Sequence, residues 1–147
     1  MRRGARTNTA PPGIMFADVL AAGSIYYELP VARFLTTSRK FVISHKRQTI
    51  MYVARKTTRL SLPDIGRRFG GRDHTTVLHA IRRVEERLAH PDPEVSVKLT
   101  AAVSAIATIA AEVASRRRQR VTGYWLEHDD GPPPELLDAY LTAMAED

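Results

Sequence analysis

A short polar run follows a double glycine near the middle of the chain and carries three kinds of hydrogen-bonding group. It consists of Asp73, His74, Thr75 and Thr76, which supply a carboxylate, an imidazole and two hydroxyls. A carboxylate can accept a hydrogen bond from a cytosine amino group, and threonine methyl groups can contact thymine methyl groups. At the start of a helix, such a run favours recognition of base edges in duplex DNA. The alternative is that these residues only cap the helix.

Other chemistry has less support from the residues. His74 and His79 are five positions apart, which turns them away from each other on a helix and argues against a metal site. Asp64 and Asp73 are each explained by a helix start, and no nucleophile or oxyanion site accompanies them. The chain has no cysteine, which excludes disulfides, thiolate nucleophiles and cysteine zinc sites. We therefore predict no catalytic residue, no metal and no cofactor.

The residues before the polar run predict a short helix. Ser61 is a candidate N-cap, Pro63 lies in the first turn, and Asp64 stands three residues after the serine, as in a capping box. The helix should end near Phe69, because Gly70-Gly71 tolerates the positive φ that is common at helix C-termini.

A second helix should begin directly after Asp73, which is well placed to cap it. The helix has an apolar stripe at helical spacing, formed by Val77, Ile81, Val84 and Leu88. Two helices joined by a tight turn form a helix-turn-helix, which inserts the N-terminus of its second helix into the major groove. The backbone NH groups and the dipole at that end also favour a nearby phosphate.

The remaining pattern is helical and predicts an all-α fold with no strand pair. A first helix begins at Phe16, and a shorter one follows over 31–35. A basic connector over 38–46 precedes a helix that turns Ile50, Met51, Val53 and Ala54 inward and leaves Arg47, Arg55 and Lys56 available to solvent or phosphate. An apolar stripe from Val95 to Val113 predicts a long closing helix that ends in arginines near position 120.

The domain organisation follows from these elements. We predict a disordered arm over 1–13, a helix-turn-helix domain with an extended closing helix over 14–120, and an acidic tail over 121–147 with room for one short helix. The apolar stripe of the closing helix is either core or interface, and the tail helix, a second copy or a protein partner could cover part of it.

Charge is unevenly distributed along a chain whose net charge is +6. Residues 31–60 carry eight Lys and Arg residues and no acid, whereas residues 121–147 carry seven acids and no Lys or Arg. Such a basic block favours duplex nucleic acid as the partner, although it can also be a solvated face. The acidic tail could lie on the basic surface and lower DNA affinity.

The segment SLPDIGRRFGGRDHTTVLHAIRRV, residues 61–84, resembles the signature of the DNA-binding C-terminal domain of the bacterial replication initiator DnaA. The resemblance extends upstream through SRK, RQ and VARKTT to the IYY around Tyr26. It implies a small helical domain of the Trp-repressor-like type that binds the asymmetric DnaA box.

Matching positions imply roles for individual residues. The resemblance implies base contacts in the major groove for Asp73, His74, Thr75, Thr76 and Pro63, and a minor-groove contact for Arg39. It implies phosphate contacts for Arg47, Gln48, Arg55, Leu62, Val77 and His79. The connector departs from the family pattern, because Phe41 replaces a basic residue and His45-Lys46 replaces a commoner Arg-Pro.

The chain contains no G-x-x-x-x-G-K-[ST] sequence, so we expect no nucleotide-binding P-loop. It should bind DNA without unwinding it, as a stand-alone regulator of replication or transcription that lacks the initiator's ATPase domain. The alternatives are a protein-interaction module that uses the C-terminal helices, and an enzyme acting on nucleic acid.

The sequence predicts no membrane-spanning helix, because charged or polar residues interrupt every apolar run before it approaches the roughly 20 residues required. No apolar block follows the basic start. We therefore expect a cytoplasmic, nucleoid-associated protein with no membrane partner.

Overall fold

The computed structural model describes residues 13–36 and 41–127, with side chains in the last helix described up to Arg118. In this part of the chain there are six helices and no strand, which confirms the all-α prediction. The helices are α1 (Phe16–Tyr27), α2 (Val31–Phe34), α3 (Phe41–Thr57), α4 (Leu62–Arg68), α5 (His74–Leu88) and α6 (Pro93–Glu127).

Three predicted features lie outside the described residues. They are the N-terminal arm up to residue 12, the connector residues 37–40 with Arg39, and the tail over 128–147. The disorder of the arm, the minor-groove role of Arg39 and the short tail helix therefore stay predictions.

The core lies where α1, α3, α5 and α6 meet. Phe16 of α1 packs edge-on against Phe69 at the end of α4, with ring centroids 5.2 Å apart. The four inward residues predicted for α3 are buried, and so are three of the four stripe residues of α5, with Leu88 half-buried: Ile50, Met51, Val53, Ala54, Val77, Ile81 and Val84. Removal of these apolar side chains from water is the main stabilising term for a small helical domain.

The connector before α3 is shorter than predicted. We expected 38–46 to be non-helical, but α3 begins at Phe41, so His45 and Lys46 lie inside a helix. The ammonium group of Lys46 lies 5.2 Å from the centroid of the Tyr27 ring, a cation–π contact that holds this part of α3 against α1. The spacing of apolar residues did not predict this first part of α3, because few of its residues face the core.

The closing helix α6 buries one face and is longer than predicted. Ala102, Ile106, Ala110 and Ala114 recur every four residues and are buried. The first three of them belong to the predicted apolar stripe. The helix continues to Glu127, past the boundary predicted at 120.

An ion pair fixes α6 to the start of α1. The Arg117 guanidinium donates to both carboxylate oxygens of Asp18, from Nε to Oδ1 at 3.2 Å and from Nη2 to Oδ2 at 3.0 Å. Asp18 is 3% exposed and also accepts from the backbone NH of Met15 at 2.8 Å. Because a buried carboxylate without a partner is costly, this pairing fixes the register of α6 on α1.

The expectation about apolar runs is wrong for α6. Its Pro93–Arg118 segment is long and apolar enough, by length and composition, to cross a membrane, with a mean hydropathy of 1.6 over its most apolar window. Alanine, valine and isoleucine dominate it, and few charges interrupt it. The same test is passed by core helices, and α6 packs one face on the core. Only 22% of that window is buried by the described part of the chain.

The turn between α4 and α5 is built on close backbone contacts. The Ser61 side chain caps α4, accepting from the Asp64 NH at 3.2 Å and donating to Asp64 Oδ2 at 2.8 Å, as predicted. The Arg72 NH donates to the Gly66 carbonyl at 2.7 Å. Gly70 and Gly71 have φ values of +78° and +77°, which confirms the predicted glycine stop.

Gly66 and Gly71 provide a matched test of this turn. A methyl group at Gly66 would collide with the carbonyl oxygen of Arg72, whereas one at Gly71 meets nothing but imposes a left-handed φ on alanine. We expect Gly66→Ala to lower the free energy of unfolding by at least about 2 kcal/mol, despite alanine's higher helix propensity. Gly71→Ala should cost about 1 kcal/mol. Urea unfolding measures both, and a Gly66→Ala protein as stable as Gly71→Ala would contradict this account.

The caps of α4 and α5 should make stability depend on acid pH. The Ser61 hydroxyl holds the pKa of Asp64 below its usual value, and the Thr75 hydroxyl, followed by the Thr75 NH, does the same for the pKa of Asp73. A carboxyl whose pKa is lower in the folded state stabilises the fold. This stabilisation is complete above the unfolded-state pKa of 3.8 and is lost as the pH falls through the lower folded-state pKa. Asp73→Asn should therefore melt at a lower temperature than the parent above about pH 4, and the gap should close below it. Thermal melts from pH 7 to pH 2 measure this, with Glu85→Gln as the charge control; a gap independent of pH would contradict it.

Candidate nucleic-acid interface

The polar run lies on the surface at the start of α5. Asp73 is the N-cap, and the side chains of Asp73, His74, Thr75 and Thr76 are all exposed. Val77 and Ile81, on the buried face of the same helix, anchor it in the core. A rigid helix therefore presents four polar side chains at its N-terminal end, where backbone NH groups have no intrahelical acceptor.

Two members of the run are bonded to each other. Asp73 Oδ2 accepts from the Thr75 NH at 2.9 Å and also from the Thr75 hydroxyl. Asp73 Oδ1 lies 3.6 Å from Nδ1 of His74. The capping interpretation is thus correct for Asp73, but capping does not bury any of the four side chains, so they remain available to a ligand.

A cationic cleft of about 290 Å³ lies beside the run, between α3 and α5. Thr76, His79 and Arg83 line it from α5, and Ser44 and Gln48 line it from α3, with Arg47, Met51, Arg72 and Ala80 completing the lining. Three of the lining residues are arginines and none is an acid. A cleft with these donors fits an anion such as a phosphodiester.

The prediction that Arg47 is available to solvent is wrong, although the side chain does line the cleft. The side chain is 6% exposed, and its Nε donates to the Phe34 carbonyl at 2.9 Å and its Nη2 to the Thr36 carbonyl at 3.1 Å. Burial lowers the pKa of Arg47, and the nearby Arg72 lowers it further. Arg47 therefore connects α3 to the end of α2 and adds positive charge to the floor of the cleft.

Arg72 makes a similar connection from the turn before α5. Its guanidinium donates to the carbonyl oxygens of Phe69 and Thr36. Two arginines, Arg47 and Arg72, thus share the Thr36 carbonyl, which directly precedes the undescribed connector residues. Thr36 is therefore attached to α3 and to the turn of the helix-turn-helix.

Gln48 contacts a cation from α5. Its Oε1 accepts from Nη2 of Arg87 at 2.6 Å, across 39 positions of sequence. Arg87 lies one helical turn beyond Arg83, and burial and then Arg83 lower the pKa of Arg87. His45, on the same side of α3, has its pKa lowered by burial and then by Arg87 and Arg83. Positive charge therefore accumulates along this side of the α3–α5 pair.

The other phosphate-contact candidates occupy different settings. Arg55 is exposed at the C-terminal end of α3 and donates from Nη1 to the Leu60 carbonyl at 2.9 Å. Leu62 is half-buried against the core and Pro63 is exposed, both in the first turn of α4. Val77 is fully buried, so its side chain anchors α5 and does not face solvent.

The structure brings together some of the predicted residues and adds others. Thr76, Gln48, His79 and Arg47 share the cleft, whereas Arg55, Leu62 and Pro63 lie at other helix ends. Sequence reasoning gave no role to Arg72, Arg83 or Arg87, although Thr76, Arg83 and Arg87 follow a helical repeat that indicates one face. Among the described residues, no three His, Asp or Glu side chains come together in a group that could hold a metal ion.

Comparisons with known proteins agree with the geometry. Residues 17–84 match the family model for the bacterial DnaA protein helix-turn-helix. The chromosomal replication initiator protein DnaA of Caulobacter sp. (strain K31) is 48% identical over 86 residues, which is 58% of this chain and 18% of the relative. The corresponding proteins of Zymomonas mobilis and Nitrosospira multiformis are 47% identical over 75 residues and 48% identical over 71 residues, covering 16% and 15% of their lengths.

The match and the fold cover the same region. The matched residues run from α1 into α5 and include the capped turn, the exposed polar run and the whole cleft lining. The chain matches less than a fifth of the length of the relatives named above. Residues 17–84 of this chain thus match the bacterial DnaA helix-turn-helix family model, and their described part folds as a helix-turn-helix.

Proposed function

We propose that the chain binds duplex DNA at sequences resembling the DnaA box. The observation that carries this proposal is the exposed polar run at the capped start of α5, directly beside an arginine-lined cleft without acids. In the major groove the N-terminal residues of such a helix meet base edges, while neighbouring cations meet phosphates. The similarity to replication initiators supports the same partner.

Base recognition falls to the exposed side chains. Asp73, His74, Thr75 and Thr76 would contact base edges in the major groove, with Pro63 against a thymine methyl group and Arg39 in the minor groove. Gln48, Arg55 and His79 would contact phosphates with their side chains. Leu62 and Val77 can do so only through their backbone, since aliphatic side chains offer no donor.

The cellular role that fits best is regulation of replication or transcription at the nucleoid, in the cytoplasm. The 147 residues contain no P-loop, so we propose that this polypeptide binds DNA without hydrolysing ATP. Binding of this kind would occupy initiator boxes and exclude or recruit other proteins there.

A second function has one observation in its favour. Val97 is 63% exposed, and only 22% of the apolar window of α6 is buried within the described part of the chain. An interaction module could use this surface to bind a second copy or another protein, with DNA contact incidental. Such a module would bind DNA weakly and without sequence preference.

Titration of the full chain on DNA distinguishes these functions. We expect tighter binding to a duplex with a DnaA box than to a scrambled duplex of equal length, in a mobility-shift assay. The logarithm of the affinity should fall with the logarithm of the salt concentration by about 0.9 per phosphate contacted. Equal binding to both duplexes would contradict base recognition, and a flat salt response would contradict DNA binding through phosphates.

Two substitutions separate base contacts from phosphate contacts. His74→Ala should reduce the difference between box and scrambled duplex by about 1–3 kcal/mol, because it removes a group that faces base edges. Arg55→Ala should weaken binding to both duplexes alike and lower the salt slope by about 1, because it removes a phosphate contact. If His74→Ala weakens both duplexes equally, the assignment of His74 to the bases is wrong.

A further inference from the structure

The side-chain amide of Gln48 is held in one orientation by α5. The Arg87 guanidinium has only NH donors, so the Gln48 atom that faces it at 2.6 Å must be the carbonyl oxygen Oε1. The two amide hydrogens of Gln48 are therefore on the opposite side of the carboxamide. An amide flip would set NH donors against NH donors and lose the bond.

Gln48 lines the cleft, whereas Arg87 does not. The α5 part of the lining consists of Thr76, His79, Ala80 and Arg83, and it contains no carboxylate that could accept from the amide. Arg87 lies outside the lining, one turn beyond Arg83 on α5, and is half-buried. Arg87 is thus placed to act on a ligand in the cleft through Gln48.

We propose that Arg87 is a positioning residue for DNA binding, which fixes the Gln48 carboxamide so that its NH2 group donates to a DNA phosphate oxygen in the cleft. This inference rests on the proposed function. Without Arg87 the carboxamide can rotate and present its oxygen to the phosphate, which is repulsive. A side chain held in place also loses less conformational entropy when it binds.

The salt dependence separates positioning from direct contact. A cation that touches a phosphate releases counterions, and its loss lowers the salt slope by about 0.9. A neutral amide donor contributes affinity without that release. Loss of Arg87 as a positioning residue should therefore reduce affinity while the slope stays the same.

The experiment is a double-mutant cycle with the full chain on a box-containing duplex. Arg87→Met and Gln48→Ala should each weaken binding about tenfold, the size of one hydrogen bond to a charged group, and the double variant should be no weaker than Gln48→Ala alone. Lys98→Met, on exposed α6, is the control for loss of one positive charge and should leave affinity unchanged. Thermal melting of each variant excludes unfolding as the cause.

A third variant keeps the contact and removes the donor. Gln48→Glu retains an acceptor for Arg87, so the protein should melt no lower than the parent. Its carboxylate cannot donate and repels phosphate, so binding should fall more than in Gln48→Ala. Additive losses in the cycle, a lower slope in Arg87→Met, or unchanged affinity in that variant would each overturn the proposal.

A DNA-independent measurement keeps the two proposals separate. If the parent protein binds no duplex, the proposed function fails. The inference about Arg87 is then tested by NMR: inorganic phosphate is added, and the side-chain amide signals of Gln48 are followed. Signals that shift in the parent and not in Arg87→Met support a phosphate-binding amide. Signals that do not shift, or that shift equally in both proteins, overturn it.

Discussion

The close contact between Gly66 and the backbone of Arg72 determines where the second helix of the motif begins. The Arg72 NH bonds to the Gly66 carbonyl, and the Arg72 carbonyl fills the space that any side chain at Gly66 would need. The chain must therefore turn within a few residues, through two glycines at positive φ. Asp73 follows at once and caps α5. This backbone packing explains why the polar run is exposed. Val77, the residue directly after the run, is already buried in the core, so the four residues before it lie at the surface.

The cations of this chain have three different uses, and net charge does not distinguish them. Arg47 and Arg72 donate to main-chain carbonyls and connect elements that are far apart in sequence. Arg117 neutralises the buried Asp18. Arg55 is exposed, and besides its bond to the Leu60 carbonyl its guanidinium keeps further donors that a ligand can use. Because guanidinium groups stay charged even where burial lowers the pKa, as it does for Arg47 and Arg72, the structural arginines still add positive potential to the cleft. One arginine can thus hold the fold and attract a polyanion.

Much of the fold could be predicted from sequence because its signals are local. Ser61, Asp73 and the glycine pair mark helix ends through hydrogen bonds within three residues, and the α5 stripe shows the helical repeat. The errors concern contacts that are distant in sequence. The burial of Arg47 depends on carbonyls 11 and 13 positions away, and the Gln48–Arg87 bond spans 39 positions. The early start of α3 depends on packing against α1 and α2. The few charges within the apolar run of α6 do not break it. They are exposed, whereas Ile106 and the buried alanines lie on a separate face of the helix.

Asp73 can cap α5 and contact a base at the same time, because a carboxylate has two oxygens and about four lone pairs. Oδ2 is occupied by the NH and hydroxyl of Thr75, while Oδ1 is 3.6 Å from the His74 imidazole and accessible from solvent. The bonds to Thr75 hold both side chains before any ligand arrives, so less conformational entropy is lost on binding. A cap that only stabilised the helix would need one acceptor oxygen. The second oxygen faces the same side as His74, and it gives the start of α5 an acceptor that cytosine amino groups match.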